Sequence, residues 1–155
     1  MQIRPYRSSD LPALTALFYD TVHRVNARDY TPRQLDAWAS GSVDAAGWDR
    51  SLLAHVSLVA LLEGQPVGFA DLDPASGLLD RLYVHAEHQG QGIDTALCSR
   101  LEPLASGGIV TTHASITARP FFEKRGYRLL RAQQVERRGV LLPNFVMEKR
   151  VRQDP

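Results

Sequence analysis

Residues 82–97, Leu-Tyr-Val-His-Ala-Glu-His-Gln-Gly-Gln-Gly-Ile-Asp-Thr-Ala-Leu, constrain the fold more than any other stretch. An apolar strand pattern over Leu78–His85 runs into a loop with two glycines two positions apart. A helix over 93–106 follows, with Ile93, Ala96, Leu97 and Leu101 at helical spacing. Gly107-Gly108 stops it, and Ile109–Ser115 is strand-like again. A strand, a helix and a strand in that order demand a parallel pair joined by a crossover. The chain therefore needs a sheet with at least one parallel neighbour and a helix laid across it.

The flanking segments read as antiparallel partners. Ser57–Leu62 and Gln65–Asp73, joined at Glu63-Gly64, form one hairpin; residues 127–137 and 140–151, joined at Arg138-Gly139, form another. Gln2–Arg7 is a short first strand. Leu11, Leu14, Leu17, Phe18, Val22 and Val25 place a helix over 10–26, with Ser9 or Asp10 as its cap and Pro12 in its first turn. Thr31-Pro32 starts a second helix that carries Leu35 and Trp38 on one face, and residues 41–50 read as irregular. A last short helix spans 117–125 and stops at Gly126. The order βαα-βββ-α-β-α-ββ predicts one α/β domain over 1–155, a mixed, mostly antiparallel twisted sheet flanked by helices.

Composition narrows the class of partner. Lys+Arg total 18 against Asp+Glu 17, a net charge of +1, which argues against a surface built for nucleic acid or an anionic membrane. The single cysteine, Cys98, excludes an intramolecular disulfide and a multi-cysteine metal cluster. No apolar run reaches the ~18 residues of a membrane span, and the start MQIRPYRSSD has no apolar signal core. A cytoplasmic protein with neither nucleic acid nor membrane as partner is expected.

The glycine loop can be a plain strand-to-helix turn that needs glycine for its dihedrals. It can also be an anion site, because glycines let a ligand approach the backbone and free amides at a helix start favour negative charge. A pyrophosphate is the natural guest. A P-loop is excluded, since Ile93-Asp94 follows Gly92 in place of Lys-Ser/Thr, and a Rossmann loop lacks its third glycine and its place after the first strand.

This stretch resembles motif A of the GNAT superfamily, the acyl-CoA-dependent N-acyltransferases, whose pattern is Arg/Gln-x-x-Gly-x-Gly/Ala. Gln89, Gly92 and the strand Leu82-Tyr83-Val84 match, while Asp94 stands where Gly or Ala is expected. Downstream, Ala118-Arg119-Pro120-Phe121-Phe122-Glu123-Lys124-Arg125-Gly126-Tyr127 is similar to motif B, Ala-x-x-x-Tyr-Glu-Lys-x-Gly-Phe. With the element order, the resemblance spans nearly the whole chain. It implies a GNAT-like fold, acetyl-CoA as co-substrate without a metal, and direct transfer of the acetyl group to a primary amine of a small molecule or protein. A homodimer is a possible assembly. A non-catalytic acyl-CoA-binding sensor is the alternative reading.

The resemblance also implies roles for particular residues. Leu82, Tyr83 and Val84, the loop and helix start Gln89, Gly90, Gln91, Gly92, Ile93, Asp94 and Thr95, and Ser115, Arg119, Phe121, Phe122 and Lys124 form the cofactor side. The Val84 N–H becomes the donor to the developing oxyanion. Asp80 is the first candidate for the base, because period-2 alternation puts it on one face with Leu82 and Val84. The other reading of Asp80 is a strand-edge carboxylate paired with Arg81 or another arginine. His113 is the second candidate, since an imidazole titrates near ~6.5. Tyr30 and Trp38, with Trp48 nearby, stand where the acceptor pocket is expected, although Trp38 at helical spacing from Leu35 also reads as core.

Two departures from the family pattern matter. Phe122 occupies the position of a proton-donating tyrosine, which leaves Tyr83, Tyr30 or water to reprotonate CoA, or else departure of the bare thiolate. Ser115 stands in place of an asparagine, and its hydroxyl can still bond an amide. His85, His88 and Cys98 match no zinc spacing.

Overall fold

Seven strands form one sheet: β1 (Gln2–Pro5), β2 (Val56–Leu62), β3 (Gln65–Asp73), β4 (Leu78–Val84), β5 (Ile109–Ser115), β6 (Arg128–Arg137) and β7 (Val140–Arg150). Their order across the sheet is β1-β2-β3-β4-β5-β7-β6 in this computed structural model, which describes residues 1–152. All neighbours are antiparallel except β4 and β5, the pair that the strand–helix–strand pattern required to be parallel. Helices α1 (Leu11–Arg24), α2 (Pro32–Trp38) and α3 (Ala45–Ala54) cover one face, and α4 (Ile93–Leu101) and α5 (Arg119–Lys124) cover the other.

Each face has its own apolar core. Leu14, Leu17, Phe18 and Val22 of α1 pack with Leu52 of α3 and with Val59 and Phe69 of the sheet. On the opposite side Ile93, Leu97, Cys98 and Leu101 of α4 pack on Ala70, Leu72, Leu79, Val84 and Val110. Gly68 sits beneath α4, where an added Cβ would lie 3.0 Å from the Ile93 side chain. The sheet is thus the middle layer of three, and a site opened between its strands is reached from both faces.

Two irregularities position the site. β4 and β5 keep register for only Leu78↔Thr111 and Leu79↔Thr112, after which the strands part. In the β3–β4 ladder Asp71 pairs with Arg81 while Leu72 pairs with Leu79, so Asp80 is an extra, bulged residue. The bulge breaks the alternation expected for β4. Leu79, Leu82 and Val84 all face the α4 core, whereas Tyr83 packs on the α1 side. Asp80 does not share the face of Leu82 and Val84.

Several boundaries also differ from the sequence pattern. Residues 41–50, expected to be irregular, contain most of α3, which opens with the Asp44 carboxylate accepting from the Gly47 amide at 3.1 Å. Helix α4 ends at Leu101 and tightens into a 3-10 turn, because Pro103 has no amide to continue the ladder. Asp10 does not cap α1. Its carboxylate accepts from Arg4 twice, at 2.8 Å each, and from the Arg7 amide at 2.8 Å. Thr31 does cap α2, its hydroxyl accepting from the Gln34 amide while Gln34 Oε1 accepts from the Thr31 amide.

Candidate active site

Where β4 leaves β5, a cavity of about 180 Å³ opens through the sheet. Its walls follow from the ladder. The His85 amide donates to Val67 O at 2.8 Å, so the opposed pairs alternate from there and Val84 stands in a non-hydrogen-bonded pair with Gly68. The amides of Val84 and Leu82 therefore point away from β3 and into the gap. The Val84 carbonyl points the same way and accepts from the Thr21 hydroxyl at 3.1 Å and from Gln89 Nε2 at 2.6 Å. A row of backbone donors thus lines a slot that β5 has vacated.

The slot ends at the glycine loop and the start of α4. Gly90 and Gly92 have φ of +71° and +81°, a conformation that favours glycine, and no atom lies within 4 Å of where a Cβ would stand on either. Gly92 is the N-cap of α4 and offers no side chain to the free amides. One amide is already taken, for Asp94 Oδ1 accepts from Thr95 N at 2.8 Å. Ile93 turns its side chain into the core, 2% exposed, so only its backbone is available to a ligand. The helix start suits an anion, and the Asp94 carboxylate opposes one.

The polar groups converge at the other end. Asp80 and His113 both line the cavity, on β4 and β5. Asp80 Oδ2 lies 3.4 Å from Arg81 Nη1, the pairing that the sequence offered as its other reading. The same nitrogen is 2.6 Å from Asp71 Oδ2, and His55 Nδ1 is 2.8 Å from that oxygen. Burial pushes the Asp71 carboxyl above its ordinary range, against the pull of Arg81 and His55. Ligand atoms of His55, Asp71 and Asp80 come within 4.8 Å of one another, the spacing a metal ion needs. The Arg81 guanidinium already supplies positive charge there, so the cluster is a poor cation site.

The aromatic residues divide. Trp38 and Tyr83 line the cavity. Burial pushes the Tyr83 phenol up to about 12, so it stays protonated at neutral pH. Tyr30, expected in the acceptor pocket, is withdrawn from the cavity and 7% exposed. Its hydroxyl donates to Pro143 O at 2.6 Å and accepts from the Ile116 amide at 3.0 Å, tying the segment before α2 to the sheet. Trp48 lies away from the cavity, with the Arg81 guanidinium 4.8 Å above its ring.

Phe121 and Phe122 line the α5 side, with Phe122 packed edge-on against Tyr127. Ser115 Oγ accepts from the Ala118 amide at 3.0 Å and from Asn26 at 3.4 Å. Arg119 is not at the cavity, because its Nε holds Glu123 at 2.8 Å and its guanidinium lies over Phe145. Lys124 is exposed and also outside it. Cys98 is fully buried on the core face of α4, and burial pushes its thiol up to about 12, which removes it as a nucleophile. Thr21, Val25, Asn26, Thr112 and Thr117 line the cavity without having been singled out in the sequence. Thr21 left a trace there, a hydroxyl within the apolar stripe of α1.

The site is thus a cleft through a mixed sheet, walled by backbone amides and ended by a glycine turn at a helix start. The family model described as "Acetyltransferase (GNAT) domain" matches residues 26–149. The Escherichia coli K12 protein named "Uncharacterized N-acetyltransferase YafP" is 37% identical over 148 residues, 95% of this chain and 94% of its own. A GCN5-related N-acetyltransferase structure from Rhodopseudomonas palustris matches with a TM-score of 0.91 and 37% identity, over 97% of this chain and 95% of the other. A phosphinothricin acetyltransferase from Sinorhizobium meliloti, solved with AcCoA, shares the fold at a TM-score of 0.69 and 19% identity, over 97% and 88% of the two chains. The chain belongs to the GNAT family of acetyltransferases.

Proposed function

We propose that this protein transfers an acetyl group from acetyl-CoA to a primary amine of a small molecule or a protein, by direct attack in a ternary complex. The observation that carries the reading is the parting of β4 from β5, which turns the Leu82 and Val84 amides into a vacated slot that ends at the glycine loop. Bound acetyl-CoA supplies the thioester carbon, and the Sinorhizobium relative was solved with that molecule. The free amides between Gln89 and Thr95 hold the pyrophosphate. The Val84 N–H stabilises negative charge on the acetyl oxygen as the amine adds.

Asp80 takes the proton from the amine, directly or through water, and His113 across the cavity is the second candidate. Tyr83 is the one tyrosine that lines the cavity among the described residues, which makes it the phenol available to the departing thiolate. Tyr30 is committed to Pro143 and cannot take that part. Covalent catalysis through Cys98 is not used, so Cys98→Ala retains turnover.

Two measurements test the reading. Calorimetry with acetyl-CoA should give saturable one-site binding, and a panel of small amines and amine-bearing peptides should release CoA in at least one case. Binding with no release from any amine would favour the non-catalytic sensor. No binding would overturn both.

A further inference from the structure

The polar cluster behind Asp80 has no part in the reaction described so far. Arg81 Nη1 lies 2.6 Å from Asp71 Oδ2 and 3.4 Å from Asp80 Oδ2, so a single guanidinium serves two carboxylates in different settings. Asp71 is fully buried, while the Asp80 side chain is 38% exposed and lines the cavity. Arg81 is fixed in place, since it stacks 4.8 Å over Trp48 and bonds Ser51 Oγ at 3.3 Å. His55 holds Asp71 Oδ2 from the other side at 2.8 Å, and Asp71 Oδ1 is buried with no hydrogen-bond partner among the described residues.

A carboxylate beside an unshared guanidinium is a weak base, because an opposite charge within ~4–6 Å lowers its pKa by ~1–3 units. A general base works best with a pKa nearer the operating pH. Asp71 draws on the Arg81 charge from inside the protein, where the shorter distance and lower dielectric strengthen the interaction. Asp80 then feels a cation that is largely neutralised.

We propose that the buried Asp71–Arg81 pair sets the basicity of Asp80, with Asp71 acting as a positioning residue through Arg81 and His55 holding Asp71 in place. This rests on the acetyl-transfer reading with Asp80 as base. The charged and titratable groups around Asp80 are Arg81 on its own strand, Asp71 on β3, His55 after α3 and the Tyr83 phenol, while His113 of β5 and Asp94 of α4 line the same cavity. Farther back, Asp49 of α3 is bonded by the Tyr6 hydroxyl at 2.6 Å.

The test compares the pH dependence of kcat/KM for wild type, Asp71→Asn, Arg81→Gln and the double variant on one amine, so that the ionisation of the acceptor is common to all. Asp71→Asn leaves Arg81 to Asp80 alone, and the acid limb should move down by about one pH unit while the plateau falls. Arg81→Gln should move it up by a similar amount. Asp71→Asn preserves side-chain shape and leaves Arg81 a partner, so the main readout comes from the variant that strands no charge. The double variant removes the pair as a unit, a change that buried pairs tolerate, and should return the limb to near wild type. Acetyl-CoA affinity should be unchanged throughout. A limb that stays fixed in folded Asp71→Asn, or that moves the same way in both single variants, overturns the proposal. A wild type that turns over no amine instead overturns the acetyl-transfer reading, and this one with it.

Discussion

The Asp94 carboxylate accepts from the amide of its own neighbour Thr95, Oδ1 to N at 2.8 Å, at the helix start that should receive an anion. An acidic group there stabilises the free helix by ~0.3–1 kcal/mol. The same group occupies one donor and repels a phosphate. Asp94→Gly should therefore bind acetyl-CoA more tightly, by up to about tenfold, with a larger gain at low salt than at high salt. Calorimetric titration at two ionic strengths checks this. Weaker binding at both would mean that the carboxylate shapes the site.

Asp80 and His113 divide the candidacy for the base. Asp80→Asn should lower kcat by ~10²–10⁴ and leave acetyl-CoA affinity nearly unchanged. His113→Gln should cost far less. Steady-state kinetics on one amine with parallel binding measurements decides, and the reverse ranking would transfer the role to His113.

Glu102 is the buried anchor between α4 and the end of α5. It accepts from Arg125 at 2.8 and 2.9 Å, from the Tyr127 hydroxyl at 2.7 Å and from Lys149 at 3.2 Å. Burial pushes its carboxyl up, but the bonds from Arg125, Tyr127 and Lys149 outweigh this and hold it below the usual range. A folded pKa below the unfolded value means stabilisation that is complete above ~4.3 and fades as pH falls through the folded value. Glu102→Gln should cost about 3 kcal/mol at pH 7, since it leaves Arg125 and Lys149 without their anion. The difference from wild type should shrink in acid. Denaturant melts at pH 7 and pH 3 measure both.

Tyr30→Phe should destabilise by ~1–2 kcal/mol, because the Pro143 carbonyl and the Ile116 amide both lose their partner. If Tyr30 only ties the α2 segment to the sheet, kcat in the folded variant stays within about twofold of wild type. A larger loss of kcat without loss of stability would return Tyr30 to the acceptor pocket.

Much of this architecture was legible in the residues. The strand–helix–strand run at 78–115 forced the parallel pair, and the Thr31-Pro32 cap and the glycine loop fell where their chemistry placed them. Helix α3 was not legible, because Gly47 and the sparse apolar positions of 45–54 give a weak periodic pattern and only Leu52 is deeply buried. The partners of Asp10, Tyr30 and Arg119 were also hidden. Each is settled by a group that folding brings in, Arg4 for Asp10, Pro143 for Tyr30 and Phe145 for Arg119.

The extra residue at Asp80 sets a constraint on how this strand can vary. Parity assigns each position of a regular strand to a face, and one inserted residue resets the count for everything upstream of it. Losing Asp80 would leave Leu79, Arg81 and Leu82 in plain alternation opposite Leu72, Asp71 and Ala70, with Leu79 still in the core and Arg81 still beside Asp71. What the extra residue adds is a carboxylate at the cavity, not a support for the sheet. A one-residue deletion at position 80 should therefore fold and forfeit whatever Asp80 does, whereas a deletion among the regular positions 82–84 would turn the apolar floor beneath α4 to the wrong face.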